Sequence, residues 1–149
     1  MPVQDTTERD VAAPERFAPR ATPETQPYWD GTAVGELRIT SCRTCDRPFF
    51  YPRSSCPRCG SQDITWITCS GRATLYSYVI SARPAPGFEP PTVIAVVELE
   101  EGPRMMTNIV GVEPEPENLP LDLALRVTFE QRGDVAVPLF APDVEGGAR

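Results

Sequence analysis

Apolar residues in this chain gather into short runs, and the five clearest lie in its second half: 72–82 (RATLYSYVISA), 92–99 (TVIAVVEL), 104–110 (RMMTNIV), 123–130 (LALRVTFE) and 135–140 (VAVPLF). They are rich in Val, Ile, Thr and Tyr and are split by Gly, Pro or charged residues, the pattern of β-strands. No window of comparable length carries a helical period. Five short strands in one small domain predict a partly open Greek-key barrel, the OB fold, with a five-stranded sandwich or an SH3-like barrel as the alternative. The turns agree. EEGP, with Gly102 and Pro103, joins the second and third strands, and Gln131–Asp134, with Gly133, joins the last two. The first connection, RPAPGFEPP, is stiffened by four prolines and has Phe88 at its tip. The third, VEPEPENLPLD, lies where many OB folds carry a helix, but Pro114, Pro116 and Pro120 disfavour one.

Upstream the pattern changes. Residues 1–22 are polar, without periodicity, and read as a disordered arm. Within 23–36, PETQPYWDG suits a short helix carrying Tyr28 and Trp29. Both aromatics need a surface, either the chain's own barrel or a docked partner. Residues 37–68 hold two cysteine pairs, 69–141 the barrel and 142–149 a flexible tail. The fold class is therefore mainly β: an N-terminal helical arm, a metal ribbon, then a five-stranded OB-fold barrel.

Cys42-x-x-Cys45 and Cys56-x-x-Cys59 each put two thiolates on one tight turn. Two such turns facing each other supply four soft ligands in a tetrahedron, which a closed structural zinc site requires. Gly60, directly after Cys59, admits the left-handed backbone that aims N–H groups at sulfur. The ten-residue gap from Asp46 to Ser55 suffices for a hairpin with FFYP as its return strand. Spacing alone leaves iron in a rubredoxin-like site as the alternative metal. With four protein ligands no coordination position is open, so the metal is expected to be structural. Cys69 stands apart and reads as a small buried residue.

Composition narrows the chemistry. The 149 residues include no His and no Lys; all 14 basic residues are Arg. A His-based triad, Schiff-base chemistry and a phosphate-loop lysine are excluded. Net charge is −7, unevenly spread: seven arginines against two acids from Arg38 to Arg83, then twelve acids against four arginines from Pro84 onward. The basic segment suits an anion such as a phosphate, or is a solvated face balanced by the acidic half. No apolar run approaches a membrane span, and the acidic first residues do not resemble a secretory signal. The expected compartment is the cytoplasm, where reduced thiols favour metal over disulfides.

The order of pieces carries a resemblance. PYWDG, GELRITSCRTC, FFYPRSSCPRCGS, TWITCSGRATLYSYVI, PPTVIAVVELEEGPRMMTNIVG and LRVTFE follow one another over about residues 23–140. Together they resemble the zinc-ribbon/OB-fold proteins, long called a domain of unknown function, that accompany thiolases and related acyl-CoA enzymes. Ala73 and Leu123-Ala124 depart from that pattern, which has glycines there. The resemblance implies a rubredoxin-like ribbon and a non-catalytic subunit of a hetero-oligomer with a thiolase-fold partner. The implied reactions are retro-aldol cleavage of steroid side-chain CoA thioesters, in which a MaoC-like hydratase can be a further partner, or condensation of the thiolase/HMG-CoA synthase type. On this reading the chain is a required subunit of a lyase or acyltransferase complex and supplies no catalytic side chain.

OB folds bind ligands on the face of their second and third strands and between their first and last loops. Arg72 and Arg83 are therefore candidates for CoA phosphates, Arg132 for the same loop region, and Phe88 for an acyl or pantetheine channel or a partner contact. Tyr28 and Trp29 are candidates for partner docking. A single-stranded nucleic-acid binder is the rival class, with Tyr76 and Tyr78, on one face of the first strand, as a stacking platform or simply as core. The acidic barrel argues against it.

Overall fold

The structure, a computed structural model, describes residues 15–145. Residues 1–14 of the expected arm and 146–149 of the expected tail lie outside the described residues. Residues 15–22 have no regular structure.

One helix, α1 (Gln26–Ala33), opens the fold with Pro27 in its first turn, where a missing N–H costs nothing. Three strands follow, β1 (Arg38–Cys42), β2 (Arg47–Phe49) and β3 (Ile64–Thr68), in the antiparallel order β2-β1-β3. The return strand of the cysteine hairpin is thus RPF rather than FFYP. The third strand, ITWIT, completes the ribbon sheet by pairing Arg38 with Thr68 through to Cys42 with Ile64.

The barrel is built from β4 (Arg72–Ser81), β5 (Thr92–Leu99), β6 (Arg104–Ile109), β7 (Ala124–Arg132) and β8 (Val135–Pro142). It is closed, in the order β4-β5-β6-β8-β7, with β7 pairing back to β4. Alternation sets the faces. Along β5, Val93, Ala95, Val97 and Leu99 point inward and Ile94, Val96 and Glu98 outward. Ala73, at a position where the resembling family has glycine, is buried on the inward face of β4. In the third connection the prolines permit only one 3-10 turn, Pro116–Asn118, whose successor Leu119 is buried in the core cluster.

One expectation fails on β4. A bulge between Leu75 and Ser77 shifts the register against β5, and an extra residue reverses the faces beyond it. Tyr76 and Tyr78 therefore do not share a face. Tyr76 is turned outward under the Arg104 guanidinium, 3.7 Å from its ring centroid, while Tyr78 packs against the core. No two-tyrosine stacking platform exists on this strand.

The core is common to arm, ribbon and barrel. Tyr28 of α1, Leu37 and Ile39 around the start of β1, and Cys69 belong to the same buried cluster as Leu75, Val97, Leu125 and Phe140. A second, smaller cluster holds Cys42, Phe49 and Cys56, with Cys45 and Ile64 against it. Among the described residues no helix is long and apolar enough to cross a membrane.

Candidate functional site

The first site is the ribbon tip. β1 ends on Cys42, and the turn that follows carries Cys45 before Asp46 takes φ 54 to enter β2. The second turn is closed by the Gly60 N–H on the Cys56 carbonyl at 3.0 Å and the Cys56 N–H on the Ser61 carbonyl at 2.8 Å. Gly60 sits at φ +76, a conformation that L side chains resist. The Arg58 N–H points at Cys56 Sγ, 3.4 Å away.

The four sulfurs converge. All lie within 4.8 Å of one another, with Cys42–Cys59 at 3.6 Å and Cys45–Cys56 at 3.7 Å. Metal–sulfur bonds of about 2.3 Å in a tetrahedron put the sulfurs about 3.8 Å apart, so the thiols already stand at ligand spacing. Backbone N–H groups favour the thiolate at two of them: the Cys45 N–H lowers the Cys42 pKa, and the Cys59 N–H lowers that of Cys56 to about 6. Burial followed by neighbouring thiols pushes Cys45 up to about 12. At Cys59 the Ser61 N–H acts downward, but burial and the adjacent thiols raise it overall. Four thiols crowded this closely cannot all ionise without a cation among them. The residues fit a structural metal ion and leave it no open position. Cys69 is separate: burial, then Glu101, push its thiol up to about 12, so it stays protonated and unreactive at neutral pH.

The second site lies on the barrel, where the first loop, Arg83–Pro91, approaches the β7–β8 turn. A groove of about 440 Å³ opens there. Its strands contribute Ile94, Met106 and Leu139, and its loop side contributes Arg83, Phe88 and Arg132. Phe88 follows a tight turn, Ala85-Pro86-Gly87-Phe88, in which the Phe88 N–H donates to the Ala85 carbonyl at 2.9 Å and Gly87 has φ 78. Proline then glycine at the two central positions specify such a turn.

Three expected residues, Arg83, Phe88 and Arg132, are therefore brought together. Arg72 is not. It begins β4 while Arg83 follows its end, on the order of 30 Å away along the strand. Its guanidinium is also engaged by Glu100 through two bonds of 2.8 and 2.9 Å, so Arg72 and Arg83 cannot grip one phosphate group together. Tyr28 is only 3% exposed and forms part of the chain's own core, edge-on to Trp29 with centroids 4.7 Å apart. It is packing rather than a docking surface, because the barrel itself supplies the surface that its ring needs. Trp29 is half-buried against the same core. The sequence reading missed Arg16, which reaches Gly87, Phe88 and Glu130, and Met106, 72% exposed beside the groove. No periodicity marks Arg16, and Met106 would have been found by asking which strand residues point outward.

Two family models divide the chain between them. Residues 29–65 match the rubredoxin-like zinc ribbon domain of ChsH2, and residues 66–130 match the C-terminal OB-fold domain of ChsH2. The chain belongs to the ChsH2 (DUF35) family. Its relatives include a probable enoyl-CoA hydratase alpha subunit of Thermomonospora curvata, 33% identical over 93% of this chain and 44% of that protein. They also include the 3-oxo-4,17-pregnadiene-20-carboxyl-CoA hydratase alpha subunit of Mycobacterium tuberculosis, 33% identical over 90% of this chain and 42% of that protein. The chain thus spans less than half the length of these two relatives. A solved structure described as an Ltp2-ChsH2(DUF35) aldolase superposes with a TM-score of 0.74 at 29% identity, over 84% of this chain and 98% of that one.

Proposed function

We propose that this chain is a non-catalytic accessory subunit that docks on a thiolase-like enzyme and helps form the channel for its acyl-CoA substrate. The class of reaction is retro-aldol cleavage of steroid side-chain CoA thioesters, with thiolase/HMG-CoA synthase-type condensation as the other member of the same group. A MaoC-like hydratase is a further candidate partner. The ribbon holds one zinc ion through Cys42, Cys45, Cys56 and Cys59, and the zinc fixes the shape of the ribbon.

The observation that carries this reading is the groove between the first barrel loop and the β7–β8 turn. Apolar side chains from the strands meet guanidinium groups from the loop side, a combination suited to an apolar chain that ends in an anion. The relatives, alpha subunits of hydratases named for CoA thioesters, and the likeness to a chain of an aldolase support the choice of substrate. The absence of His and Lys from the sequence and the closed thiol cluster support a chain that assists chemistry rather than performing it.

The test is co-expression with a thiolase-like enzyme, size-exclusion chromatography, and an assay of acyl-CoA cleavage. Co-elution with activity that neither chain has alone is the expected result. Separate elution, accompanied by tight and salt-dependent binding of single-stranded DNA by this chain, would overturn the reading and favour the nucleic-acid alternative.

A further inference from the structure

Phe88 stands between two hollows. The groove of about 440 Å³ and a smaller neighbour of about 220 Å³ are both lined by Phe88, Thr92 and Asn108. The smaller one is lined in addition by Arg16. Arg16 comes from the irregular segment ahead of α1, far away in sequence, yet it touches both the first barrel loop and β7. Its Nε donates to the Gly87 carbonyl at 2.9 Å, and its terminal nitrogen pairs with Glu130 Oε2. Its guanidinium lies over the Phe88 ring, 4.1 Å from the centroid. Arg132 takes the other oxygen of Glu130 at 2.8 Å and stands 5.6 Å from the same centroid. The backbone is shaped around this contact: a Cβ on Gly87 would lie 2.6 Å from Arg16.

We propose that Arg16 is a positioning residue. It ties the tip of the Arg83–Pro91 loop to β7 and holds the Phe88 ring as the partition between the two hollows. The turn that carries Phe88 fixes the backbone of the loop tip but not the direction of the ring. With Arg16 in place, the ring is gripped between a cation and the barrel wall, and the two hollows stay separate. Without it, the ring is free to swing and the hollows join. The consequence for substrate rests on the acyl-CoA reading of the groove given above; the tie itself does not.

The experiment uses the 149-residue chain as wild type, Arg16→Gln and Arg16→Lys, each also made with 4-fluorophenylalanine at position 88 alone. In Arg16→Gln, amide exchange over residues 83–91 should rise roughly tenfold, the size of one lost charge-assisted tie, and the fluorine line should shift. Arg16→Lys, which keeps a cation above the ring and a partner for Glu130, should restore at least part of both. In the assembled complex, Arg16→Gln should raise KM for acyl-CoA with little change in kcat. Unchanged loop exchange and an unchanged fluorine line in Arg16→Gln would overturn the proposal. A loop and ring that respond as stated, beside an unmoved KM, would uphold the tie and overturn the assignment of the groove to the substrate channel.

Discussion

Cys56→Ser is the most informative single change. Cys56 is buried at the start of the second turn, and both the Cys59 and Arg58 N–H groups favour its thiolate. A structural zinc supplies about 10–16 kcal/mol through four ligands, so one ligand accounts for roughly 3 kcal/mol, or about a hundredfold in metal affinity. The small cluster around Cys42, Phe49 and Cys56 has too little apolar surface to hold the tip without the ion. The barrel does not depend on that cluster, because the ribbon residues that its core draws on, Leu37, Ile39, Phe50, Trp66 and Ile67, do not belong to it. The loss should therefore be confined to the tip. Chelator competition measures the affinity, and hydrogen exchange followed by peptide separates residues 43–63 from 92–110. The expected result is metal release at far lower chelator concentration, with fast exchange in the first region and protection kept in the second. An unchanged release midpoint would refute the four-thiolate site. Simultaneous loss of protection in both regions would refute the division into a metal-held tip and a self-sufficient barrel.

Other outcomes follow from the same geometry. Phe140, 0% exposed at the centre of the core, should cost about 3–5 kcal/mol on change to Ala, read by urea denaturation; a loss under about 1 kcal/mol would place the core elsewhere. Arg83→Ala should weaken retention of acyl-CoA by the assembled complex on the order of tenfold, whereas Arg72→Ala, whose guanidinium is already held by Glu100, should not; equal effects would argue against the groove. At Glu130 burial acts upward, but the flanking Arg132 and Arg16 outweigh it and hold the pKa below the usual carboxylate range. A depressed folded pKa stabilises above the unfolded value of about 4.3 and stops doing so as pH falls through the folded one. Exchange over residues 83–91, corrected for intrinsic rates, should thus stay flat from neutral pH down to about 5 and rise only below about 4; a rise already near pH 6 would assign the tie to another group.

Much of this architecture was legible because its signals are local. Strand alternation, the Gly102–Pro103 and Gly133 turns and the two cysteine pairs each act over a few residues, and their order named the family. The misreadings share one cause: long-range packing leaves little local trace. A bulge at Leu75–Ser77 reverses the faces of Tyr76 and Tyr78 without altering composition. Tyr28 needed a surface, and only the folded chain shows that its own barrel provides it. Arg72 and Arg83 looked alike as arginines near strand ends, but lie at opposite ends of one long strand. Arg16 sits in a stretch with no pattern and gains meaning only from partners 71 and 114 positions away.

Helix, ribbon base and barrel share one interior, so the strands that carry the cysteine tip are anchored at their base in the barrel core. The cysteine tip is then an outrigger, carried away from the barrel wall by the paired strands β1 and β3. An enzyme that touches both would be addressed at two points by one body, with little orientational freedom left to lose between them. Lengthening β1 and β3 by two residues each would move that outrigger by about 7 Å while keeping every side chain on its own face.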